Sequence, residues 1–399
     1  MNILFVTIAW PKKGGDNLYS DLMGEFRDKG HKISVACSTP KRDGLETHLE
    51  VENGCNVLRI KTGNISKTGH FEKFFSLLRL NGQFNREVRK YYGDKKFDLI
   101  IFNTPPITMS GVLKKLKNYY NSNLYLLLKD IWPYGFADLG VIKRGGLAWK
   151  YFRYHEKRIY EIADTIGCMS AAGVAFVLNK NPWLDAENVE VCPNSASVKG
   201  EVMTRDNSIR QKYNIPECAT VFLFSGNIGK GHGVDFLIEA IKMLENYDKA
   251  FFLIGGAGTH HKKVKKALED SRAKNSYVYN FLPDEDFNRL LSICDVGLIL
   301  LDRCYTYPQF PSRLLAYLKS QMAVLCAINR ETDIGDIVEN AGAGLQLNHG
   351  DLDAFMDAVI NLSTEKEKTA KMGRNAYKLL KDNYLTEHSY EIIMKYCQE

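Results

Sequence analysis

Short apolar runs, each followed by a stretch whose apolar residues recur at helical spacing, start at Ile3, break off near Asn194 and start again at Val221. That alternation is the pattern of a parallel sheet wrapped by helices, and its restart predicts two such sheets in one chain. In the first half, Ile3 to Ile8, Ile33 to Cys37, Leu99 to Phe102 and Leu124 to Leu128 read as buried strands. Leu18, Leu22 and Phe26 mark a helical face that Gly30 ends. In the second half the strand-like runs are Val221 to Phe224, Phe251 to Ile254, Val296 to Leu301 and Ala323 to Ala327, and Val234, Leu237, Ile238 and Ile241 mark one helical face. Asn194 to Pro216 is polar and weakly periodic and reads as a linker. Ligands of such sheets bind beyond the carboxyl ends of the strands, so chemistry is expected in the loops after Ile8, Leu128, Phe224, Ile254 and Leu301.

Size and charge narrow the classes further. A chain of 399 residues exceeds one ordinary core, which agrees with two domains. The net charge of +6 suits phosphate-bearing ligands or an anionic membrane surface, and without a basic tail it gives no nucleic-acid signature. Nine cysteines, none in a CxxC pair, indicate neither a disulfide framework nor a zinc site, so a reducing cytosol is expected. No apolar run approaches the roughly 20 residues of a membrane span.

The strongest local signal is Ser225-Gly-Asn-Ile-Gly-Lys-Gly-His-Gly233, between a buried strand and an amphipathic helix. Its glycines let backbone approach a ligand, and a helix starting near Val234 would present amides to phosphate, with Lys230 and His232 able to add charge. A tight turn without a ligand is the plain alternative, and the lysine among four glycines favours the ligand. The loop after the first strand, Ala9 to Gly15, lacks the dinucleotide GxGxxG, and Lys230 is followed by glycine rather than by the Ser or Thr of a P-loop. Gly255-Gly-Ala-Gly258 alone reads more readily as a turn.

Two further clusters follow predicted strands. Pro311 and Ser312 look like a helix start, which puts Arg313 in a first turn where its guanidinium could grip a diphosphate bidentately. Lys129-Asp-Ile-Trp-Pro133 lies at the rim of the first sheet. There Asp130 could orient or deprotonate an acceptor hydroxyl or cap the next segment, and the residues alone favour capping. Trp132 and Tyr134 could stack on a sugar or plug the core.

Taken together these segments resemble glycosyltransferase family 4, retaining enzymes of the GT-B fold. The resemblance spans nearly the whole chain through Gly14-Gly15, Asp130-Ile-Trp-Pro133, Ala163-Asp164 ahead of Ser170, Cys192-Pro-Asn194, Ser225 to Gly229, Asn280-Phe-Leu-Pro283, and Pro311-Ser-Arg313 ahead of Tyr317. It is similar in particular to the subgroup that builds bacterial capsule and O-antigen. The implied architecture is α/β, two Rossmann-like domains facing each other across a cleft. An acceptor-side domain would cover residues 1–200, a nucleotide-sugar domain 201–380, and a C-terminal helix in 381–399 would return to the first domain.

By resemblance, Gly15 would meet the donor and Gly226, Asn227, Gly229, Lys230 and His232 would form the diphosphate turn. Arg313 and Ser312 would complete it, while Phe281 and Leu282 would contact the base. Asp130 would position the acceptor, which attacks on the leaving-group face while the departing phosphate takes its proton. A UDP-sugar is the implied co-substrate, with no metal and no other cofactor. An undecaprenyl-diphosphate-linked or saccharide acceptor is the implied partner. The family's two glutamates, seven residues apart, are replaced by Pro308 and Ala316. That departure favours a second reading, a catalytically silent partner or scaffold in polysaccharide assembly. An epimerase would need converging acid and base groups, and no such set is evident.

Between Phe71 and Tyr92, Phe71, Phe74, Phe75, Leu78, Phe84, Val88 and Tyr91 recur mostly at helical spacing, with Lys73, Arg79, Arg86, Arg89 and Lys90 among them. This reads either as a helix packed on its own sheet or as a basic amphipathic face held at an anionic membrane. The second reading would make the protein cytoplasmic and peripheral to the inner leaflet.

Overall fold

The computed structural model of the chain describes residues 1–12, 14–65, 68–198, 205–271 and 273–395. The chain divides into two compact units, Met1–Ser197 with the segment from Thr386 onward, and Val198–Leu385.

The first unit holds β1 (Asn2–Thr7), β2 (Lys32–Pro40), β3 (His48–Glu52), β4 (Cys55–Thr62), β5 (Leu99–Asn103), β6 (Asn123–Leu128), β7 (Thr165–Cys168) and β8 (Val189–Val191), side by side in the order β3-β4-β2-β1-β5-β6-β7-β8. Ile3, Leu4, Phe5 and Val6 are all fully buried, as expected for a parallel strand covered on both faces. Among the described residues only β3 runs antiparallel to its neighbour. It turns into β4 through Asn53 (φ 47) and Gly54 (φ 75), the left-handed pair that a two-residue hairpin loop requires.

The helix Thr386–Lys395 belongs to this unit. Its Ile393 and Met394 join Leu22 and Phe26 in one apolar cluster, Tyr390 packs edge-on to Phe26 at 4.9 Å, and Glu387 pairs with Lys29 at 2.8 Å.

The second unit is a six-stranded parallel sheet of β9 (Thr220–Asn227), β10 (Ala250–Ala257), β11 (Ser276–Tyr279), β12 (Val296–Leu300), β13 (Ala323–Ile328) and β14 (Gly344–Asn348), in the order β11-β10-β9-β12-β13-β14. Counted from β9, this is the 3-2-1-4-5-6 order of a Rossmann sheet, and the direction of winding reverses between β9 and β12. Phe222, Phe224, Phe252, Leu298 and Leu325 form its core with Leu237 and Ile241 of the helix Val234–Met243.

Two expectations change. The stretch read as a linker contains the helix Asn207–Lys212, started by Asp206, whose carboxylate accepts the Ser208 amide at 3.1 Å. Its one buried aliphatic, Ile209, gives no periodicity to read. The helix His70–Tyr92 is divided along its length. Leu80, Phe84, Val88 and Tyr92 are buried in their own unit, whereas Phe75 and Leu78 are 56% and 50% exposed. The side chains of Phe71 and Phe74 lie outside the described residues. Among the described residues no helix is long and apolar enough to cross a membrane.

Candidate functional site

In the second unit β9 runs on beyond its apolar core through Ser225, Gly226 and Asn227, in register with Gly255, Gly256 and Ala257 of β10. The two strand ends touch through backbone. A Cβ on Gly256 (φ 128) would fall 1.9 Å from the Gly226 carbonyl oxygen, and one on Gly258 2.2 Å from that of Ile228. The second glycine run therefore serves to seat the first. Past Ile228 the chain turns through Gly229, Lys230 and Gly231 and enters the helix Val234–Met243 from Gly233, which is left-handed at φ 60.

Arg313 opens the helix Arg313–Lys319, which leads from β12 to β13, and so reaches the turn from the far side of the winding reversal. Its guanidinium lies 4.6 Å over the Phe224 ring and Nη2 donates to the Asn227 carbonyl at 3.5 Å. Nη1 is buried with no partner. Ser312, read as part of this helix start, makes no side-chain capping bond and is exposed. The buried hydroxyl of Tyr317 accepts the Ser225 amide at 3.3 Å, which ties the same helix to the end of β9.

His232 stands beside Asn227, with Nε2 3.1 Å from Nδ2 and Nδ1 buried without a partner. Burial, helped by the Arg313 charge, pushes the ring down to about 4. The expectation that His232 adds charge is therefore corrected, because at neutral pH it is a neutral hydrogen-bonding group. Lys230 is exposed in the turn, as are Gly226 and Asn227, with Gly229 half-buried.

The turn and Arg313 thus come together, whereas Phe281 and Leu282 stand after a strand two places away in the sheet. They follow β11 on the same carboxyl edge, separated from β9 by β10, and Phe281 is 76% exposed. Pro308 and Ala316, where carboxylates were expected, are buried and half-buried. His349 was not foreseen. It follows β14, rests 4.9 Å from the Phe236 ring, and has both ring nitrogens buried and unpartnered. Its Nε2 lies 3.0 Å from the point where a Gly233 Cβ would stand. Reading β14 as a strand would have flagged it.

In the first unit Asp130 follows β6 and its carboxylate has no hydrogen bond or ion pair among the described residues, and the next helix, Tyr134–Asp138, has no side-chain cap. Capping, the reading the residues alone favoured, is therefore corrected. The carboxyl reaches solvent, yet the protein crowded around it disfavours its charge and pushes it up to about 6. Nearby stands Tyr19, its phenol pushed up to about 12 by burial and then by the Asp130 charge. Asn103, at the end of β5, has a buried amide oxygen without a partner.

Gly15 closes a turn on Lys12, its amide 2.9 Å from that carbonyl, while Gly14 takes the left-handed conformation (φ 84). Tyr134 plugs the core, edge-on to Trp149 and Phe176, and Trp132 stacks on Phe136 at 4.1 Å. Among the described residues no three His, Cys, Asp or Glu side chains cluster as metal ligands.

Comparison with known proteins agrees with this geometry. Residues 205–379 match the family model of glycosyl transferases group 1. The probable glycosyltransferase WbjE of Pseudomonas aeruginosa is 27% identical over 252 residues, 63% of this chain and 62% of that protein. The putative colanic acid biosynthesis glycosyl transferase WcaI of Escherichia coli (strain K12) is 22% identical over 249 residues, 61% of this chain and 60% of that protein. The match thus spans about three-fifths of the length of these curated relatives. Among solved structures, Anabaena Alr3699/HepE in complex with UDP and glucose has a TM-score of 0.71 at 16% identity, covering 100% of this chain and 99% of that one, a likeness of fold alone. The chain therefore carries a domain of the glycosyl transferases group 1 family, in a molecule of two Rossmann-like α/β units of the GT-B type.

Proposed function

We propose that the protein transfers a sugar from a UDP-sugar to a lipid-linked or saccharide acceptor in the synthesis of a bacterial surface polysaccharide, with retention of configuration. The observation that carries this reading is Arg313, fixed over Phe224 at the winding reversal with one guanidinium nitrogen unpartnered beside an exposed glycine turn. A diphosphate supplies the missing acceptor, and guanidinium, Lys230 and backbone amides offset its charge without a divalent metal. HepE, solved with UDP and glucose, supports the choice of base, and the colanic acid assignment of WcaI supports the polysaccharide setting. Asp130 acts by orienting the acceptor hydroxyl, whose oxygen bonds to the sugar as the bond to the diphosphate breaks and the departing phosphate takes the proton.

The membrane setting rests on the helix His70–Tyr92. Exposed Phe75 and Leu78 sit among exposed Lys73, Arg79 and Arg86, a combination that suits the anionic inner leaflet and a cytoplasmic, peripheral protein. A thermal-shift screen against UDP, GDP, ADP and TDP tests the donor class, since a ligand of the native state alone raises its stability. Stabilisation by UDP is expected, and none by any of the four overturns the reading.

A second reading, a silent scaffold, draws on Pro308, Ala316 and a neutral His232. It is distinguished by UDP binding without any release of UDP from UDP-sugars in the presence of membrane lipid extract.

A further inference from the structure

A cavity of about 900 Å³ lies wholly within the second unit, at the amino ends of β9 and β12, where Thr220 and Asp295 stand on its wall. The glycine turn and Arg313 are at the opposite, carboxyl edge of the same sheet. The cavity is within the size of sites that enclose small molecules.

Its wall carries a buried cation that has no ion-pair partner among the described residues. Arg210, in the helix Asn207–Lys212, is only 6% exposed. Nη2 donates to the carbonyls of Pro216 at 2.7 Å, Glu217 at 3.3 Å and Ala219 at 2.6 Å, which staples the turn into β9. Nε and Nη1 are buried with no partner. A guanidinium keeps its proton inside a protein, and a desolvated cation is costly unless an anion meets it.

The nearby acid is already engaged. Asp295 receives the Arg205 guanidinium at 3.0 Å on one oxygen and the Val221 amide at 2.8 Å on the other. Glu217, the other acid on the wall, is exposed and forms no ion pair with Arg210.

Three further groups on the wall have capacity to spare. Lys366 donates to the Cys218 carbonyl at 2.7 Å and retains two N–H groups. Arg374 is exposed without an ion-pair partner among the described residues. Gln321, whose side-chain amide has no hydrogen bond among the described residues, is the left-handed residue (φ 55) that ends the helix Arg313–Lys319, where the Met322 amide donates back to the Tyr317 carbonyl at 3.0 Å. Among the described residues four cations and two acids line this wall, and Arg205 and Asp295 are spent on each other.

We infer that this cavity is a binding site for a phosphate group, free or as the monoester of a small molecule, distinct from the glycine turn and independent of the transfer reading. Arg374 and Lys366, both exposed on the wall, would grip the phosphate oxygens through charge-assisted bonds with Gln321 beside them, and the buried Arg210 charge behind the wall would favour the anion without touching it.

The test is calorimetry on the full chain with inorganic phosphate and with glucose 1-phosphate, each against chloride at matched ionic strength. The comparison is repeated in Arg313→Ala, where the hold of the glycine turn on phosphate is weakened, and the binding that remains there is expected to be that of this cavity. Lys366→Glu combined with Arg374→Glu, both exposed and so tolerable to the fold, is expected to bind at least about tenfold more weakly. Arg210→Met gives a second test if it folds. Tighter binding of glucose 1-phosphate identifies a monoester as ligand, and equal binding the free anion. No binding by wild type beyond chloride, or undiminished binding by the double variant, overturns the proposal.

Discussion

The guanidinium of Arg313 lies 4.6 Å above the ring of Phe224, although Phe224 lies within β9 and Arg313 opens the helix after β12, and the two meet only because β12 is laid beside β9. The ring face holds the planar cation while one edge of it meets the Asn227 carbonyl.

Replacing Arg313 with Ala is expected to weaken UDP binding about tenfold or more, the loss of a charge-assisted hydrogen bond. Lysine should restore little, because it lacks the planar face that rests on Phe224. Calorimetry in EDTA reads both variants. Binding of UDP to wild type only after Mg²⁺ or Mn²⁺ is added would refute the metal-free site.

Asp130→Asn should leave UDP affinity nearly unchanged and lower turnover by about 10²-fold, as for a group that acts in the transition state. Wild-type activity should also fall as pH drops through about 6, where the carboxyl gains its proton. The folded value exceeds the ordinary 3.8, so protonation favours the folded state, an advantage complete below 3.8 and lost as pH rises through about 6. The Asn variant should therefore melt higher than wild type at pH 8, and this margin should vanish by about pH 4. A variant with full turnover returns Asp130 to a structural role.

Gly256→Ala places a methyl 1.9 Å from the Gly226 carbonyl oxygen in a conformation that disfavours side chains. A stability loss of about 1–3 kcal/mol by urea denaturation is expected, with weakened UDP binding because the displaced backbone is the glycine turn itself. Unchanged UDP affinity would show that the turn does not hold the nucleotide.

Changing Arg79, Arg86 and Lys90 to Glu should abolish co-sedimentation with anionic liposomes, each basic residue near such a surface contributing about 1 kcal/mol. Arg89 is left in place because its guanidinium packs 4.5 Å over the Tyr119 ring, so its reversal would also disturb the fold. Equal binding of wild type to neutral and anionic vesicles, or binding to neither, refutes the electrostatic anchor.

What could be read from the sequence was what is local and periodic. The eight strands read in advance are all present, because buried parallel strands carry continuous apolar runs. The β3–β4 hairpin was missed although Asn53-Gly54 between alternating residues is a strong turn signal. At the sites, the glycine turn and Arg313 stood out by composition and by their place after strands. The neutrality of His232 did not, since it arises from burial and from the charge of Arg313, a residue distant in sequence. His349, Tyr19 and Asn103 are notable only for what the fold brings against them or withholds from them.

The apolar cluster that Leu22 and Phe26 share with Ile393 and Met394 also bears on how the protein is made. On a ribosome the helix Leu18–Asp28 emerges early, and the residues that cover it emerge only after the whole of Val198–Leu385 has been synthesised. The second unit can close as each of its strands appears, whereas the first must wait with an oily flank uncovered. The half of the molecule born first is thus the half finished last, and during that interval it is the half that a chaperone would hold.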